Sequence, residues 1–264
     1  MPLSTAITGI GNNPSIKMAA INTRKNQLND NKETFRDLVM ALSLPIQLFT
    51  YLSSIRNLAK EFKSKYDSLH VLINNAGSFN HKRILTPDGY ESTFAVDYLS
   101  HFLLTNLIID VIKKSAPSRV INVSSNIHKY FKINFDDLMS EKKYASQKAY
   151  SNAKFALVLF TYELASQLKG TQVTVNALHP GHAKTKMTVP KRKISHLVLK
   201  LFSFMYDSPE KAAETSTFLA SSPDVEHVTG KYFKDCKESK SHKLTYDKTL
   251  QKKLWEISKK YVRL

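Results

Sequence analysis

"LHVLINNAG", residues 69–77, is a short apolar run that ends in two asparagines, an alanine and a glycine. It is too short for an ordinary helix and carries Val71 and Ile73, so Leu69–Asn74 reads as a buried strand. The same kind of unit recurs outward along the chain. Leu99–Lys114 has apolar residues at 99, 103, 107 and 111, a helical stripe. "RVINVS" (119–124) is a second buried strand. Ala149–Lys169 reads as a long helix closed by Gly170, and "QVTVNAL" (172–178) as a third strand. Ser208 and Pro209 open another helix as N-cap and first position. Gly230–Phe233 is the last expected strand, and Leu250, Leu254, Ile257 and Tyr261 mark a C-terminal helix. Strands alternating with helices imply a parallel sheet covered on both faces, with ligands at the carboxyl ends of its strands.

Those carboxyl ends carry the unusual residues. The first strand ends in Asn74–Gly77, the second in Ser124-Ser125, the third in His179-Pro180-Gly181. Each alone is ordinary turn chemistry; three at one edge point to a site.

A Tyr-x-x-x-Lys spacing puts a phenol and an ammonium one helical turn apart. That pairing suits proton transfer to an alkoxide, because a nearby cation favours the phenolate. The spacing occurs at Tyr144/Lys148 and at Tyr150/Lys154. The first lies in the lysine-rich "EKKYASQK", an accident of composition. The second lies in the apolar-periodic "AYSNAKFALVLF", within reach of Ser125.

A chain of 264 residues is long enough for one large α/β domain, and 42% hydrophobic is a globular composition. The single cysteine, Cys236, excludes an intrachain disulfide. Net charge is +17, from 39 basic and 22 acidic residues. The basic stretches Lys184–Lys193, Lys234–Lys243 and Lys252–Lys260 lack interleaved stacking aromatics, so they read as solvated surface rather than a nucleic-acid face. No long apolar run suggests a transmembrane helix, and no signal peptide is visible. A cytoplasmic protein, or one peripheral on an intracellular membrane, is expected. No metal site is expected.

Taken in order, "LINNAG", "RVINVSS", "AYSNAK" and "HPGHAKT" resemble the short-chain dehydrogenase/reductase family. "HFLLTNLI" (101–108), "ALVLFTYEL" (156–164) and "LTYDKTLQKKLW" (244–255) are similar to its retinol-dehydrogenase-like group, most of all to an X-linked, polyprenol-associated branch. The resemblance implies a Rossmann-type doubly wound parallel sheet in one domain, residues 1–264. It implies an NADP- or NAD-dependent oxidoreductase acting on a small lipophilic alcohol or carbonyl, of retinoid or polyprenoid type. By that resemblance Tyr150 is the general acid/base, Lys154 lowers its pKa and holds the nicotinamide ribose, and Ser125 polarises the substrate oxygen. Pro180, Gly181 and Thr185 would form the nicotinamide-side loop, Asn74, Ala76 and Gly77 the adenine-ribose edge, and Thr8 and Gly9 the start of the phosphate loop. Residues 186–206 resemble a substrate lid. Its basic run beside an apolar one, at 190–206, suits either a membrane surface or a packed lid. A homodimer is the expected assembly.

The pattern is broken in two places. The family's fourth catalytic residue is an Asn, and Asp97 stands there, with Ser100 where a Gly is usual. The family's Thr-Gly-x-x-x-Gly-x-Gly loop stops after Thr8-Gly9: Asn13 and Ser15 replace the later glycines. Leu48 stands at the usual adenine-contacting Asp, and Ile21 where a basic residue often selects the 2′-phosphate. About 13 residues are missing between Gly9 and Lys17, where parallel neighbouring strands need a crossover of a dozen or more. The first βαβ unit is therefore incomplete, residues 1–50 form a degenerate cofactor-binding part, and cofactor binding is expected to be impaired. A skipped exon, a wrong gene model or a degenerate family member accounts for the gap. In another register "TGIGNNPS" resembles the Gly-x5-Ser loop of enoyl reductases, with Ser15 capping a short helix. A catalytically impaired interaction protein is the alternative reading.

Overall fold

The computed structural model of the chain describes residues 19–20, 38–41, 46–181 and 209–264. Thr8, Gly9, the stretch from Gly9 to Lys17, Ile21, Thr185 and the lid at 186–206 lie outside the described residues.

Seven strands form one sheet in plain chain order: β1 (Ala19–Ala20), β2 (Leu38–Ala41), β3 (Val71–Asn74), β4 (Ser118–Val123), β5 (Val173–His179), β6 (Lys231–Lys234) and β7 (Lys237–Glu238). β2 to β6 run parallel, and β1 and β7 add antiparallel edges. The β1–β2 pairing thus differs from the parallel neighbours expected of this end of the chain. The helices are α1 (Leu52–Lys65), α2 (Ser92–Lys114), α3 (Ser146–Gln167), α4 (Pro209–Ser221) and α5 (Lys248–Val262).

Alternation along the strands sorts their side chains into two cores. Leu72, Val120, Val173 and Val175 pack with residues of α1, α2, α3 and α5. Val71, Ile73, Ile121, Val123, Leu178 and Phe233 pack with Leu219 of α4 on the other face. Both faces are covered, as a doubly wound sheet requires. Among the described residues, however, the strand order never reverses. The second face is reached instead because α4 crosses from β5 to β6 on the side opposite α3.

α2, 23 residues long, contains an 18-residue window of mean hydropathy 1.4, as apolar as a membrane span, and 78% of that window is buried in the fold. It is the core helix of the layer. Its neighbour α3 is buried nearly all round. Phe102 of α2, Phe160 of α3 and Trp255 of α5 meet with ring centroids 5.0–5.8 Å apart, geometries that favour aromatic pairs. α2 starts seven residues before its apolar stripe. Glu91 caps it, accepting from the Thr93 and Phe94 amides at 2.9 and 2.8 Å. The stripe is interrupted because Ala95–Leu99 is a π-helical turn in which the Ser100 amide reaches back to the Ala95 carbonyl. One extra residue in the turn breaks the 3.6-residue period that the sequence pattern relies on.

Leu48 lies in a short 3₁₀ turn, Ile46–Thr50, half-buried against the helix-side core. Inside that layer a polar ladder joins sheet to helices. Asn74 Nδ2 donates to Thr105 Oγ1 at 3.0 Å and to Asn122 Oδ1 at 2.8 Å, and Asn122 Nδ2 donates to Thr161 Oγ1 at 2.9 Å. Asn74 and Asn122 are register partners on β3 and β4. Buried amides that find one another this way specify that register, since a slip would leave them unpaired.

Candidate active site

The carboxyl ends of β3, β4 and β5 place their turns along one edge of the sheet, and α3 runs beneath it. Tyr150 and Lys154 lie one turn apart within α3. The Lys154 ammonium is buried, donates to the Val123 carbonyl at 3.1 Å, and lies 5.5 Å from the centre of the Tyr150 ring. The main chain beside it is tied to the same strand end: Ser124 Oγ donates to the Lys154 carbonyl at 2.9 Å. Ser125 follows in extended conformation and caps the turn Asn126–Lys129 by accepting from the Ile127 amide at 3.3 Å. Its side chain also acts on the Tyr150 phenol, in the direction that favours ionisation. Three of the four expected catalytic residues are thus neighbours.

Asp97 is the fourth. The π-turn aims its carboxylate at Lys154, with Oδ2 3.3 Å from Nζ and side chains 0% and 4% exposed. That contact is an ion pair without hydrogen-bond alignment, so Oδ2 has no hydrogen-bond partner. Oδ1 accepts from the Ser78 amide at 2.7 Å and the Ser78 hydroxyl at 3.2 Å. Gly77 is what lets the loop approach: a Cβ there would sit 3.3 Å from Asp97 Oδ2 and 3.5 Å from Lys154 Nζ. Any side chain at 77 would press on the pair.

Burial pushes the Asp97 carboxyl up to about 6, against the pull of Lys154 and Ser78. Burial works against the Lys154 charge, yet Asp97 and Tyr150 hold its pKa above the ordinary lysine value. Tyr150 is held above the ordinary phenol value. Burial is the main cause, Lys154 and Ser125 oppose it, and the Asp97 charge adds to it. Lys154 thus acts on the Tyr150 phenol in the expected, lowering direction, and burial outweighs it.

The other expected contacts divide. Asn74 spends its amide nitrogen inside the polar ladder, and the Ala76 methyl belongs to the helix-side core. Both residues are buried, and Asn74 keeps its Oδ1 without a hydrogen-bond partner. Pro180 and Gly181 follow β5 at the same edge, and Gly181 has φ +87°, a left-handed turn suited to glycine. These positions and the Lys154 ammonium fit the nicotinamide half of a dinucleotide.

Several participants escaped the sequence reading. Ser78 holds Asp97. Phe79 packs edge-on against the Tyr150 ring at 5.6 Å. His128 is buried behind Ser125, its Nδ1 2.6 Å from the Ser125 carbonyl and its Nε2 accepting from the His242 amide at 3.3 Å. An acceptor at Nε2 places the proton on Nδ1, which donates to Ser125. Burial lowers His128 to about 4 and His101, one turn beyond Asp97, to about 3, so both imidazoles are neutral at pH 7. The spacing Ser125-x-x-His128 was the one available signal, and it has no meaning without the turn that closes it.

The short chain dehydrogenase family model matches residues 9–195. Human retinol dehydrogenase 14 is 46% identical over 217 residues, 81% of this chain and 64% of that protein. Human polyprenol dehydrogenase is 40% identical over 234 residues, 86% of this chain and 70% of that protein. An uncharacterised protein from Mycobacterium paratuberculosis shares the fold, with TM-score 0.64, 27% identity and coverage of 81% of this chain and 73% of that one. The chain thus spans about two thirds of the length of such relatives. The reading as an impaired interaction protein finds no support among them.

Proposed function

The chain belongs to the short chain dehydrogenase family, and on that premise we propose that it interconverts an alcohol and a carbonyl using NADP or NAD. The observation that carries the reading is the convergence of Ser125, Tyr150 and Lys154 at the carboxyl edge of the sheet. When bound, the nicotinamide ring would give hydride to the carbonyl carbon or take it from the alcohol carbon. Lys154, Pro180, Gly181 and Thr185 would hold the nicotinamide half of the cofactor, Asn74, Ala76 and Gly77 would lie at its adenine-ribose edge, and Thr8 and Gly9 at its phosphates. Ser125 donates its hydroxyl hydrogen to the substrate oxygen, which polarises the carbonyl. In reduction the Tyr150 phenol gives its proton to that oxygen, completing the alcohol; in oxidation the tyrosinate takes the proton back. Lys154 favours the tyrosinate by its charge. The Phe79 ring against Tyr150 offers an apolar wall beside the reacting oxygen. With relatives named for retinol and polyprenol, this supports a lipophilic isoprenoid alcohol or aldehyde as substrate.

The test is direct. The full chain is titrated with NADPH and with NADH, following energy transfer from the single tryptophan, Trp255, to the reduced ring. Turnover of all-trans-retinal and of a short polyprenal is then followed at the cofactor's absorbance. Micromolar binding with turnover of either aldehyde supports the reading. Binding without turnover of any alcohol or aldehyde in a broad panel overturns the catalytic part. Failure to bind either cofactor, with the chain folded, overturns both parts and points to the shortened segment after Gly9.

A further inference from the structure

Asp97 is more than a shape that fills its place. Its carboxylate is fully buried, faces one cation, and lies 3.3 Å from it. The Ser78 amide and hydroxyl hold the other oxygen, so the group is fixed rather than rotating between partners. The groups that face the cluster come from five elements. α3 brings Lys154 and Tyr150, and α2 brings Asp97 and the neutral His101. The end of β4 brings the Val123 carbonyl and Ser125, and the loop after β3 brings Ser78. Tyr232 of β6 is a further phenol within electrostatic reach of Tyr150. Among these described groups Lys154 and Asp97 are the two that carry charge. A cation in a low-dielectric site acts on everything near it, and an anion at contact distance cancels most of that field.

We propose that Asp97 is a resident counter-ion that withholds the Lys154 ammonium from Tyr150, so that the charge at position 97 sets how readily the site's acid–base group ionises. Asp97 is in this sense a positioning residue acting through Lys154. A neutral side chain of the same shape leaves the ammonium free to favour the tyrosinate. Tyr150 lies above the ordinary phenol value with the Asp97 charge among the causes, which is the direction this arrangement demands. The consequence for the proposed chemistry is a site biased toward the protonated phenol, the form that donates in carbonyl reduction. The pH at which alcohol oxidation sets in is correspondingly displaced upward.

The inference rests on the proposed role of Tyr150, but its test needs neither cofactor nor substrate, so the two can fail separately. The full chain is prepared with carbon-13 at Cζ of tyrosine, and each phenol is titrated by NMR, with Tyr150→Phe identifying the Tyr150 signal. In Asp97→Asn the Tyr150 midpoint should fall by one pH unit or more, while the Tyr144 signal stays in place. Asp97→Ser, neutral and able to accept from Ser78, should act in the same direction and serves if Asp97→Asn does not fold. In a Lys154→Met background the Asp97→Asn shift should shrink, because the part routed through the ammonium is gone and only the direct carboxylate–phenol repulsion remains. An unchanged Tyr150 midpoint in a folded Asp97→Asn or Asp97→Ser chain overturns the proposal. So does a shift that is undiminished without Lys154.

Discussion

Two Tyr-x-x-x-Lys segments lie six residues apart and have opposite fates. Tyr150 and Lys154 are inside α3, share a face, and meet Ser125 and Asp97 at the sheet edge. Tyr144 precedes the helix, which begins at Ser146, so it shares no helical face with Lys148. Its hydroxyl donates to the Asn80 carbonyl at 2.7 Å and ties down the loop that carries Ser78 and Phe79. Lys148 is exposed and lines a cleft of about 360 Å³ with Lys132, Lys143 and Asn152, away from Tyr150. Identical spacing therefore carries chemistry only where a helix converts it into a shared face and a fold buries that face beside partners.

The sharpest break of this comparison is at the phenols. Tyr150→Phe should lower turnover by about a thousandfold or more, the usual scale for losing a positioned acid–base group, whereas Tyr144→Phe should change it less than about twofold. Comparable losses from both changes would show that the wrong tyrosine has been assigned.

Next come the lysines. Lys154→Met leaves a buried carboxylate without its cation and should cost about 3 kcal/mol of stability, read by chemical denaturation. Lys148→Met, on the surface, should stay within about 0.5 kcal/mol. A mild Lys154→Met would mean that the Asp97 charge is compensated elsewhere.

Acid provides a third contrast, because buried imidazoles surround the Tyr150 pair. His128 and His101 have folded-state pKa values of about 4 and about 3, below the ordinary 6.5. Between those values and 6.5 the unfolded chain binds more protons, so these groups make stability rise with pH and fall on acidification. Asp97, raised to about 6, acts the other way, since there the folded state holds the extra proton. The two imidazoles outweigh the one carboxyl. Stability should drop between pH 7 and pH 4, and His128→Gln should remove about 3 kcal/mol of that drop. A flat stability profile over that range would count against neutral, buried histidines at the site.

The smallest effect is the structural share of Tyr144. Losing its bond to Asn80 should cost about 1 kcal/mol, visible as a slightly lower melting temperature with turnover intact.

Much of the architecture could be read in advance. The strands now called β3, β4 and β5 match their apolar runs to within two residues, because strands buried on both faces are continuous blocks of branched side chains. α3 was found nearly to its ends because its apolar residues leave no other state for the segment. Tyr150, Lys154 and Ser125 could be singled out as candidates because a spacing and a strand end are both local. α2 was found late and short, since the π-turn at Ala95–Leu99 erases the helical period at the place where Asp97 enters the site. In the sequence, an asparagine at a strand end looks the same whether it faces a ligand or a helix. The neighbour that decides is Thr105, which is 31 residues away.

By itself the sequence determined which segments become strands and helices, which edge of the sheet bears polar turns, and which phenol–ammonium pair shares a helix face. All three follow from periodicity and local chemistry within about ten residues. Only the tertiary structure decided the electrostatics: that Asp97 touches Lys154, that Ser78 and Gly77 make room for the pair, and that burial outweighs the ammonium at Tyr150. Those outcomes depend on groups brought together from distant parts of the chain and on how completely water is excluded around them. Charge–charge energy varies inversely with both distance and dielectric, and neither quantity is written in the order of the residues.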